Sequence, residues 1–143
     1  MIVTQPKESI AAFVAQVQGQ SEPWGNYTAI GWVRRDELIA GVVYNNFSGA
    51  GVCAHIGAIP GRHWMTREFL GAIFAYPFDQ LRLRRITGLV ARKNKPARRF
   101  VENLGFRYEG CVRHALQNDD WMLYGMLREE CRFIAREALR RAA

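Results

Sequence analysis

The side chains best suited to acid–base chemistry lie in strand-like segments of this sequence. His55 lies in the middle of the apolar run at residues 52–59, and its imidazole titrates near neutral pH, which makes it the strongest candidate for a general base. Glu109, His114 and Tyr124 lie in two later strand-like segments, as candidates to line a pocket or to donate a proton. Two alternatives stay open: His55 is only a hydrogen-bonded histidine in a half-buried strand, and the Glu109 carboxylate faces solvent.

The segment NKPARRFVENLGFRYEG, residues 94–110, carries the clearest structural signals. Asn94 predicts a helix N-cap, Pro96 suits the first turn, and Gly105 predicts a left-handed stop. A strand is expected from Phe106. The apolar residues at helical spacing predict one face against a core: Ala97, Phe100, Val101 and Leu104.

This segment resembles the "N..A....E.LGF...G" signature of the GNAT superfamily of N-acetyltransferases, and within it the RimJ/RimL-like branch. The matching residues are Asn94, Ala97, Phe100, Val101, Leu104, Gly105, Phe106, Glu109 and Gly110. The likeness covers roughly residues 30–127, with residues 66–83 similar to the long helix after the pyrophosphate loop and residues 111–127 similar to the closing hairpin. It implies an N-acyltransferase that moves an acetyl group from acetyl-CoA to a primary amine by direct attack.

The resemblance also implies where coenzyme A is held. The loop at residues 60–65 leads into a helix near Thr66, and the free N–H groups and positive dipole of a helix start favour phosphate. His63 and Met65 fill positions where the family has small residues, so a Cβ hinders the close approach of a phosphate to the backbone. Arg62, His63 and Arg67 could offset this with charge. A loop that has lost the cofactor is the alternative. The implied cofactor-binding residues are Ile56, Gly57, Ala58, Arg62, His63, Trp64, Met65, Thr66, Asn94 and Arg98.

Acyl transfer needs a deprotonated amine, donors for the oxyanion and a proton for the departing thiolate. By the resemblance, backbone N–H groups at residues 56–58 supply the donors. The family's tyrosine acid falls at Val101, and the groups that could substitute for it are Ser48, Tyr108, Tyr124 or a water molecule. The catalytic candidates are His55, Tyr124 and Glu109. No metal is expected. Residues that shape an acceptor pocket, or pack in the core, are Trp24, Tyr44, Asn45 and Asn46.

The element pattern predicts a GNAT-like α/β fold, a mixed and mostly antiparallel sheet with helices on both faces. A short strand at residues 2–3 and a helix at 7–18 precede a hairpin at 28–33 and 38–44, then a strand at 52–59. A helix is expected from Thr66, within which Pro77 should cause a kink or leave one carbonyl unsatisfied. A buried strand follows at 86–90. A polar turn at 117–120 closes the final hairpin, and a terminal helix is expected at 128–141.

The length and composition of the chain limit the kinds of protein it can be. The 143 residues are 49% hydrophobic, which suits one domain over residues 1–143. No apolar run is long enough to cross a bilayer and the first residues do not resemble a signal peptide, so a cytoplasmic protein without membrane contact is expected. Three widely spaced cysteines, Cys53, Cys111 and Cys131, indicate neither a disulfide framework nor a zinc site.

The formal net charge of +7 leaves the partner open. Basic residues from Arg82 to Arg99 flank the expected cofactor cleft and suit phosphates, while those from Arg128 to Arg141 suit a solvated helix or a partner surface. The main expectation is an amine acceptor, either a protein N-terminus, a lysine or a small amine. The alternatives are an enzyme that modifies a nucleic-acid-linked amine and a catalytically silent binding module. A homodimer is also expected from the family.

Overall fold

The structure is a computed structural model that describes residues 1–20 and 23–134. One seven-stranded sheet carries three α-helices. In chain order the elements are β1 (Ile2–Val3), α1 (Lys7–Gln18), β2 (Tyr27–Arg34), β3 (Glu37–Asn45), β4 (Gly51–Ala58), α2 (Arg67–Ala75), β5 (Arg85–Ala91), α3 (Lys95–Leu104), β6 (Arg107–Leu116) and β7 (Asp119–Leu127).

The sheet has the order β1-β2-β3-β4-β5-β7-β6, and only β4 and β5 are parallel. Side chains alternate between its faces, so Val42 and Val43 of β3 enter different cores. Val42 packs with the residues of α2 and its surroundings, and Val43 packs with Val14 of α1. The predicted fold class, a mixed and mostly antiparallel sheet with helices on both faces, is therefore confirmed.

The helix predicted around residues 94–105 forms as expected. The Asn94 Oδ1 accepts the N–H of Ala97 at 3.2 Å, and Gly105 ends the helix at φ 112°. These signals are local, since each depends on residues within one turn of the helix end. For the same reason α1 matches its predicted bounds and ends at Gly19 with φ 67°.

α2 ends at Ala75, and a π-helical turn at Tyr76–Gln80 contains Pro77, where the sequence predicts a kink or an unsatisfied carbonyl. Proline has no N–H for the carbonyl of Ile73 four residues earlier. The hydroxyl of Tyr44 on β3 donates to that carbonyl at 2.6 Å. Of the two alternatives left open for Tyr44, the structure therefore favours the core under α2.

Two predicted boundaries are wrong. The final hairpin turns at residues 117–118, because Asp119 already belongs to β7 and its carboxylate accepts the N–H of Lys93 at 3.0 Å. No α-helix begins at Arg128: a single 3₁₀ turn spans Arg128–Glu130, and Cys131 is extended. Residues 132–134 form a bend, and residues 135–141 of that predicted helix lie outside the described residues. None of the helices within residues 1–20 and 23–134 has the length and apolarity needed to span a bilayer.

Candidate active site

A cleft opens where the two parallel strands of the sheet separate. β4 and β5 pair at three positions only, Gly51 with Arg85, Val52 with Ile86 and Cys53 with Thr87. Beyond Cys53, β4 stays paired with β3 as far as Ala58, and β5 stays paired with β7 as far as Ala91. The strands therefore diverge and leave a space of about 400 Å³ between them.

The cleft is lined mainly by apolar side chains and strand backbone. Its walls come from β4, from β5, from the last turn of α1 and from the face of α3 that packs on the sheet. The lining residues are Val17, Gln18, Gly19, Gln20, Ala54, His55, Ile56, Gly57, Ala58, Gly88, Leu89, Val90, Ala91, Asn94, Ala97, Phe100, Val101, Phe106, Leu116 and Trp121.

The edge of β4 presents peptide groups to this cleft. The carbonyl of Ile56 accepts the Gln18 Nε2 at 2.7 Å, so it points away from β3. Peptide groups alternate along a strand, so those of Ala58 point the same way while those of Gly57 face β3. No β5 residue pairs with β4 past Cys53. Of the three residues predicted to donate to an oxyanion, Ile56 and Ala58 have the required direction.

His55 lines the cleft from β4 and is 9% exposed. Its Nε2 lies 2.9 Å from the Asn45 Oδ1, and its ring packs 4.9 Å from the ring of Trp24. Burial lowers the pKa of His55 from 6.5 to about 4, because desolvation disfavours the imidazolium form. The side chain is therefore neutral near pH 7.

Stability should depend on pH through this histidine. Its folded pKa lies below its unfolded value, so between pH 6.5 and 4 the unfolded chain binds the additional proton. The free energy of unfolding should fall by about 3 kcal/mol as the pH drops through that window, and be fully retained above it. Urea unfolding at pH 7 and pH 4.5 measures the difference. His55→Gln should remove most of this pH-dependent difference in the free energy of unfolding. His63→Gln, which replaces an exposed histidine, is the control and should retain it. Equal pH dependence in the wild type and both variants would contradict the assignment to His55.

Tyr124 and Glu109, the other two predicted catalytic residues, do not line the cleft. The Tyr124 hydroxyl donates to Glu102 at 2.7 Å and accepts from Arg98 at 3.2 Å, on the side of the sheet covered by α3. The Glu109 carboxylate is paired with Arg85 at 2.7 Å. The geometry thus brings only His55 of the three to the cleft.

The loop between β4 and α2 carries the predicted phosphate-binding residues. The Arg62 guanidinium is paired with Glu37, and the carbonyl of His63 accepts from Arg34 at 3.1 Å. Trp64 packs on Phe100 of α3 with ring centroids 5.5 Å apart, whereas Met65 is exposed. The loop is therefore fixed by contacts on both sides.

Several N–H groups around the start of α2 have no acceptor. Thr66 caps the helix, because its Oγ1 accepts the N–H of Phe69 at 3.1 Å. Within the described part of the chain, no group accepts a hydrogen bond from these five N–H groups: His63, Trp64, Met65, Arg67 and Glu68. A row of unpaired N–H groups at a helix start is suited to an anion.

Asn94 and Arg98 were both predicted to contact the cofactor, and the structure separates them. Asn94 lines the cleft and caps α3. Arg98 points to the other side of α3, where its Nη1 donates to the carbonyl of Arg92 at 3.3 Å.

Arg98 faces a second hollow of about 610 Å³, which we name the basic groove. It lies between the start of α3 and the β6–β7 turn. Its residues are Arg92, Lys93, Lys95, Arg98, His114, Gln117, Asn118, Asp119 and Asp120. The four Lys and Arg side chains outnumber the two carboxylates, of which Asp120 is paired with Arg92 at 3.3 Å.

The sequence did not reveal two contributors to the cleft, Gln18 and Trp121. Gln18 is the last residue of α1 and reaches Ile56, 38 positions later. Trp121 lies on β7, next to β5 in the sheet. Neither residue carries a local signal, since both reach the cleft only through tertiary contacts. Among the described residues, no group of three His, Cys, Asp or Glu side chains could hold a metal ion.

Comparison with known proteins identifies the fold. No family model and no curated protein matches the sequence. Solved structures of a spermidine N-acetyltransferase from Vibrio cholerae are similar: an F149A mutant matches with a TM-score of 0.75 and 14% identity, over 100% of this chain and 99% of that one. A dodecameric form of that protein matches with a TM-score of 0.73 and 15% identity, over 90% and 94% of the two chains.

A ribosomal-protein-S5-alanine acetyltransferase from Vibrio fischeri matches with a TM-score of 0.64 and 16% identity. This match covers 74% of the present chain and 64% of that one. The sheet order, the divergence of β4 and β5 and these similarities agree with one another. The chain has the fold of the GNAT acetyltransferases.

Proposed function

We propose that this protein is an N-acetyltransferase that transfers an acetyl group from acetyl-CoA to a primary amine. The observation that carries the proposal is the cleft between β4 and β5, whose edge presents the N–H groups of Ile56 and Ala58 beside a neutral histidine. The similar structures have acetyltransferase names, which supports the class of reaction.

The chain's own groups fit the acyl donor at two places. The unpaired N–H groups of His63, Trp64, Met65, Arg67 and Glu68 suit a pyrophosphate. The Cβ atoms of His63 and Met65 narrow the approach of the phosphates to this backbone. The apolar cleft and the free edge of β4 suit an extended amide-bearing arm. Acetyl-CoA supplies a thioester carbonyl that an amine can attack.

The residues of the cleft can assist that attack in two ways. The N–H group of either Ile56 or Ala58 stabilises the oxyanion that develops on the attacked carbonyl, because the two groups lie about 6.6 Å apart along the strand and cannot both reach one oxygen. The neutral imidazole of His55 accepts the proton that the attacking amine loses. The proton for the departing thiolate has no assigned side chain, because Val101 stands at the position of the family's tyrosine and Tyr124 is directed at Glu102.

The proposal is tested by calorimetric titration with acetyl-CoA and with free coenzyme A, followed by turnover on a panel of amines. The panel should contain a peptide with a free N-terminus, the same peptide with a blocked N-terminus and a lysine, and spermidine. We expect micromolar binding of acetyl-CoA and release of coenzyme A with at least one amine. Binding without turnover on any amine would instead favour a catalytically silent binding module, to which His63, Met65 and Val101 point.

The role of the α2 N-terminus can be tested on one backbone N–H. Thr66 has φ −86° and ψ 155°, which is compatible with a following proline, and proline is favoured at the first position of a helix. Arg67→Pro should therefore leave the helix intact while it removes one N–H and one charge. Compared with Arg67→Ala, which removes only the charge, it should bind coenzyme A about tenfold more weakly. Equal affinities of the two variants would place the pyrophosphate elsewhere.

A nucleic-acid-linked amine is a second candidate acceptor, and the basic groove favours it. The groove lies beside Asn94 and carries an excess of positive charge. Binding to RNA or DNA through such a surface should weaken steeply as the salt concentration rises. If titrations with an aminoacylated tRNA and with duplex DNA show no salt-dependent binding, a nucleic-acid-linked amine is no longer a candidate acceptor.

We also propose that the protein forms a homodimer. β6 is the last strand of the sheet and its outer edge is unpaired among the described residues. Tyr108 and Val112 of that strand are about half exposed, at 53% and 47%. Light scattering should give twice the 16.4 kDa mass of the chain, and Tyr108→Lys should shift the mass toward the monomer. A monomeric wild-type protein would refute the proposal.

A further inference from the structure

We infer that Asn45 is a positioning residue which holds His55 in the one tautomer that presents an unprotonated Nδ1 to the cleft. The inference deepens the proposed function, since it gives a second residue a defined part in the proton transfer from the amine. It rests on a chain of hydrogen bonds that runs from α1 to the cleft.

The orientation of the Asn45 side chain is fixed by a partner that can only accept. Its Nδ2 lies 3.1 Å from the backbone carbonyl of Trp24. A carbonyl cannot donate, so the amide nitrogen and not the oxygen must face Trp24. The Asn45 Oδ1 is thereby turned toward His55.

Trp24 is itself held in place. Its Nε1 donates to the carbonyl of Ala11 on α1 at 3.3 Å, and the residue is 9% exposed. Asn45 is also buried, at 8% exposed. The amide therefore has little freedom to turn over, and water does not compete freely for its oxygen.

The position of the His55 proton follows. An oxygen that faces Nε2 at 2.9 Å can only accept, so Nε2 must carry the hydrogen. A neutral imidazole has one N–H, and its other nitrogen, Nδ1, then holds a free lone pair. Asn45 thus selects the tautomer through its own hydrogen bond to Trp24.

The free lone pair of Nδ1 is in contact with solvent. In the described part of the chain no group bonds to Nδ1. There, the only side-chain nitrogen or oxygen that is both sealed from solvent and without a partner is the Trp32 Nε1. Nδ1 therefore has no partner and is in contact with solvent, and the cleft is the opening that His55 lines.

An apolar residue at position 45 should reverse the tautomer. With Asn45→Leu the cavity stays filled and Nε2 loses its acceptor, whereas Nδ1 still meets water in the cleft. The hydrogen should then move to Nδ1, because a buried N–H without a partner is costly. The lone pair would point into the protein, away from the substrate.

The closing experiment combines ¹⁵N NMR of the histidine rings with steady-state kinetics. The chain has three histidines, and His55→Gln identifies the signals of His55. In the wild-type protein at pH 7, Nε2 should have the shift of a protonated ring nitrogen and Nδ1 that of an unprotonated one. In Asn45→Leu the two shifts should exchange, and kcat should fall about 100-fold with little change in the affinity for acetyl-CoA.

Tyr44→Phe is the matched control, because it removes a buried hydrogen bond from the neighbouring residue on the opposite face of the sheet. It should lower stability without altering the ring shifts of His55. The inference is overturned by a wild-type ring with its hydrogen on Nδ1, or by an Asn45→Leu variant that keeps both the wild-type shifts and the wild-type kcat. If the wild type transfers no acetyl group at all, the proposed function has failed, while the NMR result still decides whether Asn45 orients the ring.

Discussion

Replacement of His55 by glutamine is expected to reduce kcat for acetyl transfer by about 10²- to 10⁴-fold, the range in which a general base contributes. Glutamine retains an N–H that can reach toward Asn45 but has no basic nitrogen. The variant should still bind acetyl-CoA, since the N–H groups of Ile56 and Ala58 and the loop before α2 belong to the backbone. Steady-state kinetics and a titration with acetyl-CoA, made on the same preparation, separate these two effects.

The low pKa of His55 shapes the expected pH profile. A base acts in its unprotonated form, so the rate falls only as the pH drops through its pKa, which is about 4 here. His55 should therefore cause no loss of activity between pH 7 and 5, where an unperturbed histidine would become protonated. The same low value makes the imidazole a weaker base than an unperturbed histidine.

Tyr44→Phe again provides the comparison, because it disturbs the core without touching the cleft. If His55→Gln and Tyr44→Phe retain kcat to the same extent, His55 is a core histidine and the general base lies elsewhere. A loss confined to His55→Gln, with acetyl-CoA binding intact, supports the proposed role.

Replacement of Gly51 by alanine is expected to destabilise the protein by about 1–3 kcal/mol, the usual cost of an overpacked site. Gly51 pairs with Arg85 at the narrow end of the cleft, where β4 and β5 are still joined. A Cβ there would lie 2.5 Å from the Arg85 Cγ and 2.9 Å from the Arg85 carbonyl oxygen. The side chain can move, but the carbonyl belongs to a strand that is also paired with β7.

Thermal denaturation should show the effect as a Tm lowered by roughly 2–10 °C for a chain of this size. Gly49→Ala is the matched control, since a Cβ at Gly49 would meet nothing within 4 Å. We also expect Gly51→Ala to bind acetyl-CoA more weakly, because only three residue pairs close the end of the cleft. Equal melting temperatures for the two variants would show that β4 and β5 can move apart without cost.

The contrast between α2 and α3 shows where sequence reasoning succeeds. The start and end of α3 are set by Asn94 and Gly105, whose effects operate within a single turn. For α2 the sequence indicated an interruption at Pro77 but not its outcome. That outcome depends on the Tyr44 hydroxyl, which comes from β3 to satisfy the carbonyl of Ile73.

The predicted catalytic residues show where sequence reasoning fails. His55, Glu109 and Tyr124 were chosen by chemical type and by strand position, which does not give the partner of a side chain. Glu109 is paired with Arg85, 24 positions earlier, and Tyr124 with Glu102, 22 positions earlier. Only the pairing of strands and helices determines which of these groups is left free.

The sequence by itself determined most of the elements and their order, because caps, turns and apolar periodicity are properties of neighbouring residues. The resemblance to the GNAT superfamily came from the motif at residues 94–110. It also placed a histidine on the strand that borders the cleft. The tertiary structure alone decided that β4 and β5 separate after Cys53, that Tyr124 and Glu109 lie away from the cleft, and that Asn45 faces His55. Each of these depends on contacts between residues far apart in the chain, and the burial that lowers the pKa of His55 exists only once those contacts have formed.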